Sequence, residues 1–169
     1  VLDLMIHDID LVLSFIDSPV KKIEASGVSI MTSSVDIANA RIHFENGSVA
    51  NITSSRVAKD KVRKIKLFQQ NLYITIDFLI GLTEVYRVVD SEKQESPDII
   101  SAPIDLGGTQ KHIVYEKPNI IKNDALQMEL INFVESIQGA ATPIVGGLAG
   151  KEALKVALQI QNKILEGLK

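Results

Sequence analysis

Asp36–Ser55 reads DIANARIHFENGSVANITSS, and its pattern decides the fold class. From Asp36 to Glu45 the residues alternate. Ala38, Ala40, Ile42 and Phe44 point one way; Asn39, Arg41, His43 and Glu45 point the other. Side chains on a strand alternate between its two faces, so this is a half-buried strand. Asn46-Gly47 then marks a tight hairpin, and Ser48–Val57 returns as the partner strand. A two-residue loop puts Phe44 opposite Val49 and Ile42 opposite Asn51.

The same pattern extends in both directions. Upstream, Val20–Ile30 reads as a strand. Downstream, Lys61–Gln69 and Leu72–Phe78 flank Gln70-Asn71 as a second hairpin. Ile65, Leu67, Leu72, Ile74 and Ile76 share one face; Lys64, Lys66, Phe68, Tyr73, Thr75 and Asp77 share the other. That register sets Lys64 opposite Asp77. Leu82–Val89 is a further strand, Asp90–Pro97 a polar loop, and Ile99–Ile104 and Gln110–Tyr115 are strands around Gly107-Gly108. Five to seven strands with short connections predict antiparallel pairing rather than βαβ winding.

Two helices close the chain. Asn123 or Asp124 caps the first, Leu126, Leu130, Phe133, Val134 and Ile137 form its stripe, and Gly139 stops it. The second runs from about Gly150 to Glu166, with Leu154, Ala157, Ile160, Ile164 and Leu165 inward. The expected architecture is α+β: an open, largely antiparallel sheet with helices packed on one face, in a single domain over residues 1–169. Its other face carries Lys66, Phe68, Tyr73, Thr75, Arg41 and His43. A partly apolar surface of that size calls for a partner.

The chemistry sits in the first stretch, Val1–Asp17, VLDLMIHDIDLVLSFID. On a helix, Leu2, Met5, Ile6, Ile9, Val12, Leu13 and Ile16 fall on one stripe. Asp3, His7 and Asp10 fall on another, three or four residues apart and therefore neighbours. Leu4, Leu11 and Phe15 lie between the stripes, so the helix is expected to be buried over much of its circumference. A solvated polar face explains the row; so does a site in which His7 exchanges a proton with a substrate hydroxyl between two carboxylates. The stretch opens in mid-pattern with no cap residue before it, which predicts a fragment lacking its N-terminal part.

Composition narrows the alternatives. The chain has 169 residues, 46% hydrophobic and 23% charged, with a net charge of −3. No basic field exists to hold nucleic acid or an anionic membrane. No apolar run approaches the ~20 residues of a membrane span. Cysteine is absent, which excludes disulfides and thiolate chemistry and fits a cytoplasmic protein. His43 and His112 lie on other elements without ligand spacing, so no metal is expected. Gly146-Gly147 with Gly150 follows no strand of a βαβ unit and is a turn into the last helix, not a dinucleotide fingerprint.

Asp3-x-x-x-His7-x-x-Asp10 within DLMIHDIDLVLSF resembles the helix that opens the C-terminal domain of the Gfo/Idh/MocA family of NAD(P)-dependent oxidoreductases. DIANARIHFENGSVANITSS, KIKLFQQNLYITID, NDALQMELINFVESIQGAATPIV and GKEALKVALQIQNKI are similar to the family's next segments, in order, over nearly the whole chain. The resemblance implies an open sheet of the dihydrodipicolinate-reductase-like, GFO C-terminal type beside a separate Rossmann domain that binds NAD or NADP. It implies a homodimer or homotetramer formed through the free sheet face. It gives Asp3 the orientation of a sugar, cyclitol or sugar-nucleotide substrate, His7 the reacting hydroxyl, and Asp10 a supporting role. The family's catalytic lysine belongs to an E-K-P motif of the Rossmann domain. Glu116-Lys117-Pro118 has the same letters in the wrong domain and does not inherit that role. The fragment alone is expected to be inactive. The alternative is a non-catalytic binding or assembly module derived from the same family.

Overall fold

Short turns with fixed backbone geometry order the strands of this chain. The computed structural model describes residues 2–90, 99–121 and 123–168. The expected polar loop at residues 91–97 and the Leu2 side chain lie outside the described part. The elements are α1 (Leu2–Phe15), β1 (Val20–Val28), β2 (Ile37–Phe44), β3 (Val49–Ser55), β4 (Lys64–Gln69), β5 (Leu72–Asp77), β6 (Leu82–Val89), β7 (Ile99–Leu106), β8 (Thr109–Glu116), α2 (Ala125–Ile137) and α3 (Gly147–Gly167). All strand pairs among the described residues are antiparallel, as the alternation and short loops predict. They form two sheets, β1-β2-β3 and β4-β5-β6-β8-β7, rather than one continuous run. The chain gathers into two compact units, residues 1–59 with 131–169, and residues 60–130.

In the first unit the β2–β3 hairpin is one residue out of the expected register: His43 pairs with Val49 and Arg41 with Asn51. A two-residue type I′ loop needs both central residues at positive φ. Gly47 meets this at φ 86, but Asn46 is not in that region. The loop is therefore three residues long. Phe44 N–H donates to the Ser48 carbonyl at 2.9 Å, and Gly47 N–H to the Phe44 carbonyl at 3.1 Å.

The inner face of this sheet buries Ile23, Ala38, Ala40, Ile42, Phe44 and Ile52. Met5 and Ile9 of α1 meet them from above, with Ala153, Val156, Ala157, Ile160 and Ile164 of α3. Burying Phe44 alone contributes roughly 1.5–3 kcal/mol. The inward stripe of α3 differs from the expected one: Leu154 and Leu165 are exposed, and Ala153 and Val156 take the inner positions. Small residues on both partners let the helix approach the sheet closely. Gly27 on β1 marks the tightest point. A Cβ there would lie 2.7 Å from Val35 Cγ1, 2.8 Å from Ile164 Cγ2 and 3.1 Å from the Ile37 carbonyl oxygen. The outer face is polar. Arg41 Nη1 donates to Asn51 Oδ1 at 3.1 Å and Thr53 Oγ1 to Asn39 Oδ1 at 2.8 Å.

In the second unit the expected register holds, with Lys64 opposite Asp77. Lys64 Nζ lies 3.1 Å from Asp77 Oδ2 and holds the Asp77 carboxyl below the usual carboxylate range. Gly107 (φ 66) and Gly108 (φ 87) close β7 onto β8 as a type I′ turn. β8, not β7, pairs with β6. The mixed face expected of a single sheet is therefore divided. Lys66, Phe68, Tyr73 and Thr75 belong to this sheet, Arg41 and His43 to the other.

Asp124 caps α2 as the sequence predicts. Its Oδ1 accepts from the backbone N–H of Leu126 at 3.0 Å and of Gln127 at 3.2 Å. Gly139 at φ 75 ends it: Ala140 N–H reaches the Glu135 carbonyl and Gly139 N–H the Ser136 carbonyl, a Schellman ending. Its stripe is uncovered within the described residues; Leu126, Leu130, Phe133, Val134 and Ile137 are all exposed.

Candidate active site

The setting of α1 follows from its two buried residues. Met5 and Ile9 are one turn apart and point into the core. At 100° per residue, His7, two positions from each, lies roughly 160° away from both. His7 and Asp3 are accordingly exposed, and Asp10 is half-buried. The helix is not buried over most of its circumference as expected, because one stripe suffices to seat it on β3 and α3; Leu4 and Phe15 are exposed as well. The structure puts Asp3, His7 and Asp10 on one side of α1. Among the described residues, no hydrogen bond or ion pair joins the three or ties them to another group. Among the described residues no group of three His, Asp or Glu side chains is placed to hold a metal ion.

The described residues do not fit a dinucleotide. Such sites set a Gly-rich turn between a strand and a helix of a parallel βαβ unit. Every described strand pair here is antiparallel. Gly146, at the N-cap of α3, follows the segment after α2 rather than a strand. Glu116 of the E-K-P triplet is a strand-end residue whose Oε2 pairs with Arg87 Nη2 at 2.6 Å. No helix among the described residues is long and apolar enough to cross a membrane.

Sequence reasoning missed a densely bonded carboxylate. Asp36, fully buried, accepts at Oδ2 from the backbone N–H of Ile30 and Met31 at 2.7 Å each and of Thr32 at 3.0 Å. Thr32 Oγ1 donates to Oδ1 at 2.8 Å, and Arg56 Nε lies 3.1 Å from it. The Met31 and Ile30 N–H groups, chiefly, hold its carboxyl well below the usual range. Asp36 thus pins the β1–β2 loop. The one sequence signal was its place at the head of an alternating strand. Three consecutive N–H donors cannot be read from IMTSSV.

Residues 1–75 match the family model described as GFO/IDH/MocA C-terminal domain. A UDP-N-acetylglucosamine 3-dehydrogenase of Acidithiobacillus ferrooxidans is 30% identical over 161 residues, which are 95% of this chain and 47% of that protein. A solved structure of that name superposes with a TM-score of 0.78 at 29% identity, over 95% of this chain and 47% of the other. The aldose-aldose oxidoreductase of Caulobacter crescentus gives 0.68 at 18% identity, over 96% of this chain and 44% of the other. The WlbA dehydrogenase of Bordetella pertussis, solved with NADH and UDP-GlcNAcA, gives 0.62 at 12% identity, over 96% and 41%. At those two identities the likeness is one of fold. The chain spans about half the length of the relatives it matches.

Proposed function

We propose that this chain, which belongs to the GFO/IDH/MocA C-terminal domain family, is the substrate-binding part of an NAD(P)-dependent oxidoreductase that acts on a hydroxyl of a sugar nucleotide. The observation that carries the proposal is the 30% identity to a UDP-N-acetylglucosamine 3-dehydrogenase across 95% of this chain. The α1 row supplies the chemistry. Asp3 accepts hydrogen bonds from sugar hydroxyls and orients the ring. His7 takes the proton of the reacting hydroxyl, or returns it in the reverse direction. Asp10 supports His7 from the next turn. NAD or NADP is assigned to the part of the relatives' length that this chain does not span, since the described residues offer no site for it.

Two measurements test this. The gene upstream of Val1 should encode a strand, a G-x-G-x-x-G turn and a helix, with E-K-P further on. The complete polypeptide should then oxidise a UDP-sugar with NAD or NADP. Removing a positioned acid/base costs about 10²–10⁴-fold in rate, so His7→Ala should lower kcat by that factor, while Asp3→Ala should mainly raise KM. An upstream gene without either motif, or full activity in His7→Ala, overturns the proposal in favour of a binding or assembly module.

A further inference from the structure

The β5–β6 turn, Phe78-Leu79-Ile80-Gly81, carries three large apolar side chains in the open, Ile80 at 65% exposure. Val62, at 76%, joins them from the segment before β4. Phe78 N–H donates to the Arg63 carbonyl at 2.9 Å. The β4–β5 pairing therefore runs one step past Lys64 and Asp77 and sets Val62 beside the turn. The turn leaves little loose polar backbone at its tip. Asp77 Oδ1 accepts from the N–H of Leu79 at 3.0 Å and of Ile80 at 3.4 Å, and Gly81 takes the positive φ of 62 that returns the chain. An unpaired N–H resists transfer out of water; these two are already bonded inward.

Behind this tip the charge is positive. A net charge of −3 argues against an anionic surface only where charges are evenly spread, and here they are not. Residues 59–66, KDKVRKIK, hold five cations and one acid. Lys61, Arg63, Lys64 and Lys66 are all exposed. The Arg63 guanidinium stands 5.8 Å from the centre of the Phe78 ring, which places a cation at the base of the apolar tip. Lys64 and Lys66 follow one and three residues back along the chain, about 3 and 10 Å at the rise of a strand. We infer that the β5–β6 turn seats in an anionic lipid surface, with Val62, Phe78, Leu79 and Ile80 below the headgroups and the cations of residues 61–66 against them.

Shape and chemistry together select that occupant. A nucleic acid offers phosphates to the cations but nothing to four open apolar side chains. A convex tip of four residues falls far short of the roughly 800 Å² that a stable protein interface takes from each partner, whereas lipid closes around a convex tip. A peripheral contact seats its apolar groups about 5–10 Å into the boundary between headgroups and acyl chains. One hairpin turn spans that depth, and the cations set back from it then lie level with the lipid phosphates. The contact goes beyond the proposed activity and does not depend on it.

Co-sedimentation of the full chain with lipid vesicles tests the inference without substrate or cofactor, so its failure and that of the proposed activity are distinguishable. Vesicles of phosphatidylcholine and phosphatidylglycerol in equal parts should bind the chain at least about tenfold more tightly than vesicles of phosphatidylcholine alone. Each Lys or Arg beside an anionic surface contributes about fivefold, so Lys61→Gln with Lys66→Gln should weaken binding about 25-fold. Leu79→Ser with Ile80→Ser should weaken it about tenfold or more, since those side chains then lose their burial in lipid. All four positions are exposed, and an unchanged circular dichroism spectrum separates a docking defect from a folding one. The chain has no tryptophan, so Leu79→Trp supplies a lone indole whose emission should shift to the blue on binding. No binding to the mixed vesicles at low salt overturns the inference. So does binding that ignores the serine pair, which is charge attraction alone, or an indole emission that stays as it is in water.

Discussion

Replacing Gly27 with Ala puts one methyl group where α3 meets the first sheet. Its Cβ would stand 2.7 Å from Val35 Cγ1 and 2.8 Å from Ile164 Cγ2, about 1 Å inside ordinary carbon–carbon contact. Both neighbours are β-branched and stiff at χ1, and the Ile37 carbonyl oxygen at 3.1 Å is fixed by the strand. α3 must therefore lift or the strand must bend. Overpacking of this kind costs about 1–3 kcal/mol, and each kcal/mol lowers Tm by about 2–4 °C in a chain of this size. Thermal unfolding followed by circular dichroism reads the loss. Ile164→Ala costs about 2–5 kcal/mol alone, but it removes the clashing Cγ2. The double variant should therefore be about 1 kcal/mol more stable than the two losses added together. The effect bears on the site as well, because α1 rests on α3. A Gly27→Ala chain with Tm within about 1 °C of wild type, or with strictly additive losses, would refute this account of the helix–sheet contact.

Three further outcomes are expected. His7→Ala should change unfolding free energy by no more than about 0.5 kcal/mol, since His7 is exposed and unbonded, whereas Ile9→Ala, at a fully buried position, should cost about 2–5 kcal/mol; urea titration of both variants checks the contrast. Asp36 has a folded-state pKa well below its usual value of about 3.9, so its contribution is complete above that value and is lost as pH falls toward the folded one. Asp36→Asn should be less stable than wild type at neutral pH, with the gap closing below about pH 4 in a pH series of denaturant melts. Asp124→Ala removes the side-chain cap of an otherwise uncovered α2 and should cost about 1 kcal/mol, seen as reduced helical ellipticity; an unchanged spectrum would mean the cap contributes nothing.

The parts of this fold legible in the sequence are those fixed by neighbours along the chain. The β4–β5 register follows from a two-residue loop and from alternation on both sides, and Lys64 meets Asp77 as the count predicts. The Asp124 cap and the Gly139 stop likewise depend on a few consecutive residues. The β2–β3 register turned on a single torsion, because Asn46-Gly47 suits a type I′ turn as well as a type I turn with a bulge, and the letters are the same for both. The stripe of α3 was misplaced for a different reason. Leu154 and Leu165 are the more hydrophobic choices, but the sheet under the helix is built from Gly27, Ala38 and Ala40, and a close approach favours Ala153 and Ala157. Side-chain size on the facing element outweighed hydrophobicity on the helix.

The site divides along the same line. That Asp3, His7 and Asp10 share one side of α1 is legible because one helical turn relates them, and the burial of Met5 and Ile9 decides which way that side faces. The aromatic row of Phe68, Tyr73, Tyr86 and Tyr115, whose rings pack in turn, is not legible, because it depends on β8 entering between β6 and β7. Until that pairing is known, Tyr86 and Tyr115 are two aromatic residues 29 positions apart with no reason to touch. The Asp36 knot depends on the loop before it folding back through three successive N–H groups. A row of polar residues on one helix can be read from spacing. Features assembled across strands require the order of the strands first.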